Sequence, residues 1–217
     1  MPSTKTIMAV FAATLAVSAS VTSSALAVPE WFVGGAALVN EAALANTAKV
    51  DEPVALSFAG LNLTLKCNSE IANVINGKIK TTNLMLIEHL KLNECLAPNP
   101  ANCSVRGGEL ATNPLEGTAI KGEGVVDKIL FKAKVGAIVA SFLLEGAGCT
   151  YAGLTKNIEG SVIVKMPFGQ TESAPQLVEG LGTNEQGVDK LTIEGNAGGV
   201  TGKILMNLAS GAKWSFK

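Results

Sequence analysis

The chain has 217 residues with 17 basic and 18 acidic side chains, a net charge of −1, and only 5% aromatic residues. Near-neutrality with a single arginine, Arg106, excludes a phosphate-reading surface and with it nucleic acid, because lysine does not replace the bidentate guanidinium fork. One histidine, His89, likewise excludes a multi-histidine metal site.

The first 27 residues read as a secretory signal peptide. Lys5 precedes an apolar stretch from Thr6 to Val17, and small residues then lead to Ala25-Leu26-Ala27, an A-x-A cleavage site. Cleavage there leaves residues 28–217 as one secreted domain, with no later apolar run long enough for a transmembrane anchor. The expected location is extracellular, either free or at the cell envelope. Cys67, Cys95, Cys103 and Cys149 would form disulfides in that compartment.

Beyond the leader, apolar and polar residues alternate. In chain order, strands are expected at Trp31–Val33, Val54–Phe58, Leu61–Cys67, Val74–Lys80 and Leu84–Leu92. They continue at Val125–Val135, Ile138–Leu144, Ile158–Met166, Leu191–Ile193, Val200–Leu205 and Lys213–Phe216. The clearest run places Val125, Asp127, Ile129, Phe131, Ala133 and Val135 on one face, with Lys128, Lys132 and Lys134 on the other. In Leu84–Leu92, Leu84, Leu86, Leu90 and Leu92 share a face opposite Met85, Ile87, His89 and Lys91. The alanine-rich segment Ala36–Ala48 is the one helical candidate. Turn signals such as Asn76-Gly77, Pro98-Asn99-Pro100 and Gly198-Gly199 separate the runs. The expected fold is all-β, an antiparallel sandwich or barrel braced by disulfides.

Four cysteines allow three pairings. The short loop between Cys95 and Cys103 contains Pro98 and Pro100, which favours a Cys95–Cys103 bridge and leaves Cys67 with Cys149. A weak internal echo is separate from this: Leu65-Lys66-Cys67 before Gly77-Lys78-Ile79 parallels Gly148-Cys149 before Gly160-Ser161-Val162-Ile163. It would put Cys67 and Cys149 at equivalent places in two hairpins. No two cysteines are spaced as zinc ligands or as a redox C-x-x-C, and no cofactor is expected.

Catalytic signals are sparse. A Ser-His-Asp triad would have to pass through His89, and no G-x-S-x-G or H-E-x-x-H motif occurs. A glycosidase needs only two carboxylates, and Asp127 and Glu88 are the candidates because each interrupts an apolar strand face. Burial would raise the pKa of Asp127. Trp31, Tyr151 and Trp214 could stack on sugars, although packing is the expected role of each.

Several pieces recur in a familiar order: Trp31-Phe32-Val33-Gly34-Gly35, Leu65-Lys66-Cys67, Gly77-Lys78-Ile79, and the pair Cys95 and Cys103. Then follow Thr112-Asn113-Pro114-Leu115-Glu116-Gly117, Phe142 ahead of Cys149, and Gly160-Ser161-Val162-Ile163. This order, over about Trp31 to Met166, resembles a group of uncharacterised secreted, cystine-containing β proteins of soil actinobacteria of the Solirubrobacter and Conexibacter kind. The resemblance implies an exported bacterial β domain and carries over no activity or site residue.

Taken together, the residues point to a non-enzymatic extracellular or cell-envelope β domain that binds a surface glycan or protein. The alternatives are a carboxylate-dependent glycan hydrolase using Asp127 or Glu88, and a small barrel carrying an apolar ligand inside. A cavity lined by both faces of Ile138–Leu144, with ligand density or extractable lipid, would mark the last, and a filled core would exclude it.

Overall fold

The computed structural model describes residues 30–121, 127–181 and 191–217. The signal-peptide segment lies outside them, as do the side chains of Lys121 and Asp127. Among the described residues the alternating runs form eight long strands, several of them made of two or more pieces. β1 is Thr47–Phe58. β2 comprises Leu63–Cys67 and Ile71–Ile75, and β3 comprises Leu84–Ile87, His89–Leu92 and Cys95–Asn99. β4 comprises Cys103–Val105, Leu110–Thr112 and Leu115–Lys121, and β5 comprises Asp127–Ala133 and Ile138–Glu145. β6 comprises Thr155–Glu159 and Ser161–Met166, β7 comprises Gln176–Leu181 and Leu191–Ile193, and β8 is Asn196–Met206.

Each strand pairs antiparallel with the next in sequence, as the registers Val54↔Cys67, Val74↔Leu90, Leu115↔Ile87 and Gly117↔Phe131 illustrate. The meander continues through Val162↔Phe131, Val164↔Gly180 and Gly180↔Gly202. It closes where β8 returns to β1, at Val200↔Leu56 and Leu205↔Lys49. The fold is therefore a closed up-and-down antiparallel barrel, and closure removes the unpaired edges that an open sheet would expose.

Inward residues follow the period of two. Ile129, Phe131 and Ala133 are buried, as the sequence pattern requires. Val135, expected on the same face, is 84% exposed, because the strand breaks after Ala133 and Gly136 turns with φ 73°. In β3 the run is not one strand face. Met85 and Ile87 point inward, the chain breaks at Glu88, and the phase shifts so that Leu90 and Leu92 point inward instead. Ala36–Ala48 forms no helix. Ala42 and Ala43 pair with Ile79 and Lys78, and the segment then enters β1.

The two barrel ends are filled differently. At one end Trp31–Val33 pairs with Trp214–Phe216 to form a plug. The Trp31 ring lies 5.7 Å from that of Trp214 and 5.0 Å from that of Phe216. The Gln176 amide ties the plug down by donating to the carbonyls of Trp214 and Thr171. At the other end Phe58, Leu63, Leu65, Leu144 and Ile193 are fully buried. The β5–β6 connection crosses over them, its Tyr151 hydroxyl donating to the Leu61 carbonyl at 2.9 Å.

Both disulfides differ from the expected pairing. The bridges are Cys67–Cys95 and Cys103–Cys149. Cys67 and Cys95 stand directly opposite each other on β2 and β3, whereas Cys103 faces Ala97 across the β3–β4 hairpin. Proximity along the chain thus misleads, because the ladder neighbour of Cys95 lies on its other edge. Cys149 sits in the β5–β6 connection and not at a strand end, so the internal echo with Cys67 does not hold.

Candidate functional site

Between the two packed ends the barrel axis is not filled. A cavity of about 140 Å³ remains at mid-height, lined by Leu56, Leu90, Phe131, Val162, Val200 and Ile204 among other apolar residues. Eight strands give an interior just wide enough to be filled by side chains or to hold one small ligand. Which outcome occurs depends on the residues that point inward. At this level several are small, including Ala140, Gly180 and Gly202. Leu90, Val162, Val200 and Ile204 are accordingly only half-buried although they point inward.

The segment Thr112-Asn113-Pro114-Leu115-Glu116-Gly117 shapes this lumen. The Thr112 hydroxyl accepts the Leu90 N–H at 3.0 Å, and His89 Nδ1 lies 3.1 Å from the Thr112 carbonyl, which holds the wall together at the Glu88 break. The Asn113 side chain donates to the Ile138 carbonyl at 2.8 Å, and Lys134 N–H donates to the Pro114 carbonyl. Leu115 lines the cavity. Gly117 lies opposite Phe131, and a Cβ built on it would meet the Phe131 ring at 2.4 Å. The ring therefore occupies the space over the glycine that a side chain there would need.

Electrostatics place charge away from the cavity. Outside, Lys132 and Glu116 are cross-strand partners 3.5 Å apart, Lys203 and Glu52 are 2.5 Å apart, and Lys91 and Glu109 are 2.6 Å apart. An apolar interior with ion pairs outside is the reverse of a membrane barrel, whose outer band is apolar. Lys156 is the exception, being 4% exposed and pointing inward at the capped end. Glu194 Oε1 lies 2.7 Å from its ammonium, and the Tyr151 ring lies 4.8 Å below it.

The carboxylates singled out in the sequence are not brought together. Glu88 lies at the β3 break beside Ile87, whose ladder row runs through Leu115 to Ala133. Asp127 opens the seven-residue strand that ends at Ala133. That length is roughly 20 Å, well beyond the roughly 5–10 Å between glycosidase carboxyl groups. Glu88 Oε1 is 3.4 Å from Lys134 Nζ, and with His89 it borders a polar outer groove with Asn76 and Lys78. Trp31 and Trp214 are buried in the plug, and Tyr151 is a partly buried cap. Of the lysines of the Val125–Val135 run, Lys132 and Lys134 each meet a glutamate on the outer face. Among the described residues no group of His, Cys, Asp and Glu is placed to hold a metal ion. No helix among them is long and apolar enough to cross a membrane.

Sequence reasoning missed Thr112, Gly117 and the small inward residues. A glycine facing a phenylalanine across a ladder is visible only once the register is known. No family model, curated protein or solved structure matches the chain.

Proposed function

We propose that the protein is an extracellular binder or carrier of a small apolar molecule held inside the barrel. The observation that carries this reading is the unfilled apolar centre. Protein interiors are close-packed, with few voids larger than a water molecule. An empty cavity costs about 24 cal/mol per Å³, so this one forgoes about 3 kcal/mol of a total that is typically about 5–15 kcal/mol. A ligand of suitable size recovers that stability. Apolar cavities of about 150 Å³ stay dry and take up benzene or xenon, which sets the ligand at about one ring. Export is supported by the A-x-A leader and by four cysteines all held in disulfides.

Thermal unfolding with toluene tests the reading. A ligand at 100 times its Kd stabilises by about 2.7 kcal/mol, which raises Tm by about 5–10 °C in a domain of this size. An unchanged Tm, with no perturbation of the methyl resonances of Val162, Val200 and Ile204, would refute it.

A further inference from the structure

We propose that the ligand carries a hydrogen-bond acceptor, a carbonyl or ether oxygen on an otherwise apolar ring-sized body, and that Thr112 donates to it. This rests on the carrier reading and specifies its chemistry. The cavity lining includes two residues with polar side chains, Thr112 and Thr201. Thr201 is exposed and alternates with the inward Val200 and Gly202, so its hydroxyl lies on the outer face. Thr112 follows Leu110 on the inward face and lines the cavity. Its oxygen accepts the Leu90 N–H at 3.0 Å, which fixes the oxygen in the wall. A hydroxyl has one proton to donate as well as lone pairs to accept. Among the described residues no acceptor takes that proton. The Leu90 amide also polarises the hydroxyl and strengthens it as a donor. Thr112 thus sets one hydroxyl in an otherwise apolar lining, and a molecule that meets it with an oxygen gains over a hydrocarbon of the same shape.

The test titrates cyclohexanone and methylcyclohexane, matched in size, against the wild-type protein, Thr112→Val and Thr112→Ser. Thr112→Val should weaken cyclohexanone about fivefold to tenfold, the worth of one neutral hydrogen bond, and change methylcyclohexane less than twofold. Thr112→Ser should bind both as wild type does. Equal cyclohexanone affinity in wild type and Thr112→Val, with methylcyclohexane still bound, overturns the donor and leaves the carrier reading standing. Equal loss of both ligands makes Thr112 a wall prop and also overturns it. Failure of both ligands to bind wild type overturns the donor and the carrier reading together. Since Thr112→Val removes the acceptor for Leu90, a readout on wild type stands beside it. The infrared carbonyl stretch of bound cyclohexanone should fall below its value in alkane solvent, and an alkane-like frequency overturns the proposal.

Discussion

Gly117 has no left-handed backbone to require it, yet the Phe131 ring occupies the space any side chain would need. Gly117→Ala would push that ring toward the axis. Overpacking of this kind costs about 1–3 kcal/mol, and the lumen would shrink with it. Urea unfolding should show the loss, and toluene affinity should fall at least tenfold. Unchanged toluene affinity would mean that Phe131 does not bound the site. Lys156 gives an asymmetric test. Glu194→Gln leaves a buried ammonium without its counter-charge and should destabilise by about 1–3 kcal/mol. Lys156→Met removes the buried charge itself and should be near neutral or stabilising, because Glu194 is 59% exposed and water can solvate it. Equal losses in the two variants, measured by denaturant unfolding, would contradict this account of the cap.

Strands and their bridges carry different information. The chain-entropy relation gives about 3.6 kcal/mol for Cys67–Cys95, with a separation of 28, and about 4.0 kcal/mol for Cys103–Cys149, with a separation of 46. Removing either pair by double alanine substitution should lower stability by amounts of that order. Peptide mapping without reduction should return the same two linked pairs, whereas Cys95 linked to Cys103 would contradict the register. A smaller pH effect belongs to the clasp between Ala42–Ala43 and Lys78–Ile79. Hydrogen bonding and charge from Lys78, and then Lys80, hold the exposed Glu41 carboxyl below the usual carboxylate value. A depressed folded pKa gives stability that is present above the unfolded pKa and lost as pH falls through the folded one. The Glu41 carboxyl carbon resonance should therefore titrate below that of the Lys78→Met, Lys80→Met variant. Identical midpoints would contradict the clasp. Strand existence was legible wherever alternation was regular, as in Ile129 to Ala133. The bulge at Glu88 was not, because a one-residue phase shift leaves composition unchanged and appears only when Thr112 supplies the missing acceptor for Leu90.

At the scale of the whole molecule, alternation over successive runs made an antiparallel β fold readable, and the absence of long helical periodicity ruled out most alternatives. Closure was not readable, because it depends on β8 meeting β1 across most of the chain. The candidate site was least legible of all. A lumen is set by which inward residues share one level, and Ala140, Gly180 and Gly202 come together there from three different strands. The most direct test is diffraction from crystals of the protein pressurised with xenon. The account predicts xenon on the barrel axis, against Phe131, Val162, Val200 and Ile204. A barrel whose centre is filled by its own side chains, or that takes up no xenon there, would contradict it.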